Sequence, residues 1–226
     1  HFKNKILDRL ILSSSSHFRH PTFNDLYWQP GGNPKLEPET GENHSFIIST
    51  KKSDLGIFTL NIFNSKTKNL IQWLPIQSYW QAKNLSNATR YGLSGNWVKK
   101  TKTFLTRLSI GLTKSFFGVE KKPLRYSPNE VANLYIEKKI INFTFSLNTH
   151  YTGEMISMYS YPNDNVIPEN IVTSIYVSKK YSFKKTEPIL TFSIQNIFNK
   201  EYESSKGYPE PGRSIELKIT LKQKRN

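Results

Sequence analysis

The chain has 226 residues, of which 36% are apolar and 13% aromatic, and its 32 Lys and Arg against 17 Asp and Glu give a formal charge of +15. The absence of cysteine removes disulfide frameworks and thiolate metal sites, and no run of about eighteen apolar residues is present to form a membrane-spanning helix. This length suits one all-β domain spanning residues 1–226, and low apolar content with many aromatics suits strands wet on one face and greasy on the other.

Apolar and polar residues alternate with period two in ten segments, near 6–16, 43–52, 55–65, 87–99, 102–115, 130–139, 141–153, 170–181, 187–197 and 212–222. The clearest sets Ile141, Phe143, Phe145, Leu147 and Tyr151 against Asn142, Thr144, Ser146, Asn148 and His150. Ile215, Leu217, Ile219 and Leu221 alternate in the same way with Glu216, Lys218 and Thr220. A polar set this complete is unusual on a face packed into a soluble core. The connections alternate between short turns and long loops, the asymmetry of an antiparallel membrane barrel. Lysine pairs (51–52, 99–100, 138–139, 179–180, 184–185) fall between these segments and read as solvated turn residues, so nucleic acid is not expected as a partner despite the charge. Trp97, Tyr151, Tyr176 and Tyr181, near strand ends, are candidates for interfacial aromatic girdles.

Two loops carry motifs. The first contains Phe18, Pro21, Thr22, Leu26 and Tyr27, then Gly32, Asn33, Pro34, Leu36, Pro38 and Glu39. Proline fixes φ and withholds an N–H, and Gly31 and Gly32 permit tight turning, so an ordered loop is expected between strands one and two. The second contains Asn196, Phe198, Asn199, Lys200 and Tyr202, followed by Pro211, Gly212 and Arg213.

Phe-x-x-Pro-Thr-x-x-x-Leu-Tyr with Gly-Asn-Pro-x-Leu-x-Pro-Glu, and the later Asn-x-Phe-Asn-Lys-x-Tyr with Pro-Gly-Arg, resemble the signature loops of TonB-dependent outer-membrane receptors, most closely the cobalamin and siderophore receptors. The resemblance spans about residues 10–221 and implies the C-terminal ten strands of a 22-stranded transmembrane β-barrel, with the plug and N-terminal strands absent. It implies energy-coupled uptake of a scarce nutrient such as a ferric siderophore, haem or cobalamin, in the outer membrane of a Gram-negative-type bacterium. The implied partners are outer-membrane lipid and lipopolysaccharide, the TonB complex through the missing N-terminal region, and a small metal chelate or cobalamin as ligand. The chain opens inside a strand with no export signal, so it reads as a piece of a longer precursor. With the chain end on the periplasmic side, the lysine pairs lie mostly at periplasmic turns.

Two departures stand out. The chain ends Leu221-Lys222-Gln223-Lys224-Arg225-Asn226 without the family's terminal aromatic, and Ser94 follows Gly92-Leu93 where many members have glutamate.

The motif residues read as mainly structural, with Glu39 and Arg213 pairing or capping within loop and rim. Aromatic faces stack on flat ligands at small entropic cost, so the ligand candidates are Trp73, Tyr79 and Trp80 in one loop and Tyr159 and Tyr161 in another. His17, His20, His44 and His150 lack metal-site spacing, and Asp25, Glu37, Glu39 and Glu42 lack a nucleophile or phosphate loop. No catalytic residue, metal ligand or cofactor is therefore expected. Two other readings fit the residues: a self-contained ten-stranded barrel acting as a pore or adhesin, and a soluble basic β-domain that binds polyanions.

Overall fold

A computed structural model describes residues 6–76, 78–160 and 163–223. Ten strands follow one another in a single antiparallel sheet, to which the two-residue strand Lys122–Pro123 adds an eleventh beside Phe116 and Phe117. The ten are β1 (Leu7–Arg19), β2 (Glu39–Thr50), β3 (Ile57–Lys68), β4 (Ala88–Lys100), β5 (Phe104–Phe117), β6 (Glu130–Ile140), β7 (Phe143–Thr152), β8 (Asn170–Lys180), β9 (Ile189–Gln195) and β10 (Ser214–Thr220). Each pairs with its successor in sequence. All ten expected strands are present, but β1 to β3 run several residues further toward the long loops than their alternation indicates. There the sequence turns polar on both faces, so the hydrophobic period fades before the ladder ends.

The register turns the period-two pattern into two surfaces. Leu10, Ile48, Leu60, Gly95, Ile110, Ala132, Tyr151 and Ile171 lie directly opposite one another from β1 to β8. One residue along each strand is the row Arg9, Ser49, Thr59, Asn96, Ser109, Asn133, His150 and Val172 on the other face. Cross-strand bonds such as Ser49–Thr59 (3.1 Å) and Ser109–Asn96 (2.7 Å) tie the polar face together. Ser94 lies on this polar face between Asn61 and Gly111, a place that suits a polar residue. On the apolar face the side chains meet no second layer: Leu12 is 83% and Leu217 66% exposed.

The apolar belt runs from Phe104 to Leu112 on β5, close to the ~25 Å height of a bilayer core at ~3.4 Å per residue. Trp97 belongs to it, stacked on Phe58 with centroids 6.2 Å apart, and Tyr181 shares its lower rim with Lys179 at 5.0 Å. Tyr176 does not. It pairs with Ser146 and Ser193 on the polar face, because its even position in β8 sets the opposite parity from Ile175 and Val177.

The long connections, at 20–38, 69–87, 118–129, 153–169 and 196–213, all leave one end of the sheet, and the short turns the other. The long ones are ordered by their own small elements. These are a helix α1 (Phe23–Tyr27) and three hairpins, Ile71–Ile76 with Tyr79–Asn84, Met155–Met158 with Asn165–Ile167, and Glu203–Ser205 with Tyr208–Pro209. Lysines 99–100 and 179–180 are the closing residues of β4 and β8, and 138–139 precede Ile140 at the end of β6, so none is a turn residue.

Candidate functional site

The first motif builds a small interior at the long-loop end. Thr22 caps α1: its hydroxyl accepts from Asp25 N–H (3.2 Å), while its own N–H (2.9 Å) and Oγ1–H (2.8 Å) donate to Asp25 Oδ2. This reciprocal box satisfies donors that a helix start otherwise leaves unpaired. Asp25, only 7% exposed, also accepts from Trp73 Nε1–H at 2.9 Å and from Arg19 Nη1 at 3.4 Å. Burial works to raise the Asp25 pKa, but the Thr22 and Trp73 hydrogen bonds and the Arg19 charge outweigh it and hold the carboxyl below its ordinary range.

Glu39, equally buried, receives Arg19 in a two-pronged pair, Nε to Oε2 at 2.9 Å and Nη2 to Oε1 at 2.6 Å, and takes the Ile71 N–H at 2.7 Å. Arg19 thus spans both acids of the motif. Leu36, Ile71 and Ala82 form the apolar centre, with Leu26 and Trp73 packed against it. Asn33 accepts from Lys35 N–H (3.0 Å) and donates to the Ala82 carbonyl (3.3 Å). The two glycines are required by close approach. A Cβ on Gly31 would collide with the Trp80 carbonyl, and one on Gly32 would sit 2.6 Å from Trp28 N. Pro21, Pro34 and Pro38 lie in the turns around this centre, while Phe18 and Tyr27 face outward, against His20 (4.5 Å) and Phe23 (5.0 Å).

The second motif winds around Asn196, which is 3% exposed and adopts φ 49°, a left-handed conformation that Asn tolerates better than most residues. Its side chain accepts from Lys200 N–H (2.9 Å) and donates to the Lys200 (2.9 Å) and Pro211 (3.3 Å) carbonyls. Asn199 accepts the Arg213 N–H at 2.8 Å, and a Cβ on Gly212 would press on that same Asn199 oxygen at 2.7 Å. Tyr202 is half-buried, and burial followed by the Glu210 charge raises its phenol pKa. Phe198 and the Arg213 side chain are exposed, so the loop holds through backbone and amide bonds.

Trp73, Tyr79 and Trp80 come together. With Asn24, Trp28 and Pro30 they line an open cleft of about 510 Å³ at the long-loop end. Tyr159 is elsewhere: its hydroxyl donates to the Pro123 carbonyl at 2.6 Å and its ring tilts against Phe117 at 5.8 Å. Burial raises the Tyr159 pKa. Tyr161 lies outside the described residues. Arg125 is a position that no motif indicates. Its guanidinium lies 4.8 Å over the Trp80 ring and donates to the Trp73 (3.0 Å) and Ser157 carbonyls, tying two hairpins together. Grooves of about 380 Å³ beside Phe58 and Trp97 and about 600 Å³ beside Leu93 and Leu112 open onto the apolar belt, where few polar groups converge. Among the described residues no group of His, Cys, Asp and Glu is arranged to hold a metal ion.

The family model "TonB dependent receptor-like, beta-barrel" matches residues 5–197. The chain is 26% identical over 198 residues to the Vitamin B12 transporter BtuB of Vibrio vulnificus, covering 86% of this chain and 31% of that protein. It is 25% identical over 224 residues to the Hemin receptor of Yersinia pestis, covering 93% and 32%. It therefore spans about a third of the length of these relatives. Among solved structures, the ferric enterobactin receptor PfeA of Pseudomonas aeruginosa superposes with a TM-score of 0.76 at 14% identity, over 99% of this chain and 39% of the other. The copper transporter OprC does so with 0.76 at 15%, over 93% and 36%, a likeness of fold alone. Ten antiparallel strands, two faces of opposite polarity and a match over most of the chain make it a member of the TonB-dependent receptor β-barrel family.

Proposed function

We propose that residues 1–226 form one domain, the C-terminal portion of an outer-membrane receptor barrel of about 22 strands. The whole receptor imports a scarce nutrient, such as a ferric siderophore, haem or cobalamin, at the expense of energy delivered through TonB. The apolar belt faces lipid, with lipopolysaccharide around the long-loop rim, and the polar face lines the lumen. The observation that carries this reading is the uninterrupted apolar row from Leu10 to Ile171, one residue out of step with a polar row. Strands wet on one face and apolar without cover on the other are stable where lipid supplies the cover.

The aromatic cleft of Trp73, Tyr79 and Trp80 is the proposed ligand contact. Flat aromatic faces suit a planar macrocycle or an aromatic chelate, in keeping with the names of the relatives. Catalysis has no role in this reading. A ten-stranded barrel closed on itself would need β1 to pair with β10, whereas among the described residues β1 pairs only with β2 and β10 only with β9. A soluble basic β-domain would leave the belt in water.

The test is equilibrium binding of haem, cobalamin and ferric siderophores to the full-length receptor. Replacing both Tyr79 and Trp80 by alanine should weaken binding of the one true ligand roughly tenfold or more, at ~1–3 kcal/mol for the lost ring contacts. Unchanged affinity removes the cleft as the contact site.

A further inference from the structure

Each lysine pair at a short-turn strand end is split by the pleat. Lys99, Lys138 and Lys179 fall on the apolar face, opposite Thr106, Phe104 and Phe143 respectively, and Lys100, Lys139 and Lys180 fall on the polar face. Two of the three polar-face lysines have a carboxylate partner, while Lys100 lies opposite Leu105 without one among the described residues. On the polar face Lys139 pairs with Glu137 at 3.6 Å and Lys180 with Glu187 at 2.7 Å. On the apolar face, among the described residues, none of the three has a carboxylate partner. Lys179 Nζ instead lies 5.0 Å from the centroids of both Phe143 and Tyr181. The adjoining turns add Lys102, Lys184 and Lys185 and a single carboxylate, Glu187, which Lys180 already holds.

An ammonium at the edge of an apolar belt with no protein counter-ion is stable where the surroundings bring an anion. Lys138 and Lys179 stand opposite Phe104 and Phe143, the setting in which an interfacial lysine can rest its stem on apolar surface and carry its charge toward water. We propose that Lys99, Lys138 and Lys179 form a binding rim for the phosphate groups of anionic glycerophospholipids in the leaflet on the short-turn side. The aromatic rings beside Lys179 fix its ammonium at head-group depth, and the strand spacing of ~4.8 Å distributes the three charges along the annulus instead of focusing them on one site. This inference rests on the membrane-spanning reading above.

The test uses the full-length receptor in phosphatidylcholine vesicles. Flotation after an alkaline wash first reports insertion, and failure to insert overturns both the spanning reading and this inference. With the receptor inserted, the association of spin-labelled phosphatidylglycerol is measured relative to spin-labelled phosphatidylcholine. The wild type should prefer phosphatidylglycerol. K99Q, K138Q and K179Q should each reduce that preference roughly fivefold, the effect of one interfacial lysine. The turn triple variant K102Q/K184Q/K185Q removes equal charge and should keep most of it. Equal association of the two lipids with the inserted wild type, or an equal loss in the turn variant, overturns the rim while leaving the spanning reading intact.

Discussion

Trp73 and Asp25, 48 residues apart in sequence, are joined by an indole N–H to carboxylate hydrogen bond of 2.9 Å. That bond fastens the hairpin Ile71–Ile76 with Tyr79–Asn84 to α1, and so makes one body of two long loops that leave different strands. It also divides the labour among the aromatics: Trp73 is engaged through its nitrogen, while Tyr79 and Trp80 line the cleft, Trp80 with Arg125 over its ring.

Removing the Asp25 carboxyl should therefore loosen both loops. Asp25→Ala strands the Trp73 indole, the Thr22 cap and one arm of Arg19, at a cost of about 1–3 kcal/mol in local stability. Hydrogen exchange in Ile71–Asn84 should accelerate, with exchange in β6 to β9 unchanged. Unaltered exchange in the hairpin contradicts the tie.

The same group predicts an acid response. The folded Asp25 pKa lies below its unfolded value of ~3.9, so its stabilisation is fully present above that value and is lost as pH falls through the folded pKa. The fluorine signal of fluorotryptophan at position 73 should hold steady from pH 7 to about 5 and move to a solvent-exposed position below about 4. In Asp25→Asn the acid step should vanish.

Arg125 should matter for coupling between hairpins. Arg125→Ala removes two donated hydrogen bonds and the ring contact with Trp80, worth about 1–2 kcal/mol. A crosslink or distance probe between Trp80 and Ser157 should report a broadened separation. Arg125→Lys should rescue little, because a single ammonium lacks the planar fork that reaches both carbonyls.

Asn196 should be hard to replace. Alanine there removes every bond of the buried amide and also meets a left-handed φ, a combined cost on the order of 2–4 kcal/mol. The midpoint of thermal unfolding in detergent should fall clearly below that of Phe198→Ala, whose ring is exposed.

Adjacent residues of β4 test the two faces. Leu93→Lys places a charge within the apolar row of Ile62 and Leu112 and should destabilise the inserted barrel by about 2–4 kcal/mol. Ser94→Lys, one position on, should cost well under half as much. Equal costs in urea titration of the inserted receptor would contradict the assignment of faces.

The ten wall strands and their two faces are legible in the sequence because a strand's side-chain period is two and needs no partner to be seen. The alternation of Phe143, Phe145 and Leu147 with Thr144, Ser146 and Asn148 states both the element and its faces. The loops with special backbone demands are legible for a similar local reason, through Pro21, Pro34, Asn196 and Gly212. The polar ends of β1 to β3, the hairpins above the wall and the helix α1 are not, since short polar segments carry no decisive period. Pairings across distant loops belong to tertiary structure alone. Trp73 with Asp25 and Arg125 over Trp80 depend on which loops the strand order brings side by side, and Arg19 with Glu39 depends on the register of β1 against β2. The lysine pairs 138–139 and 179–180 join the two levels: sequence places two charges near a strand end, and only the register sends one to a waiting carboxylate and the other to the uncovered face.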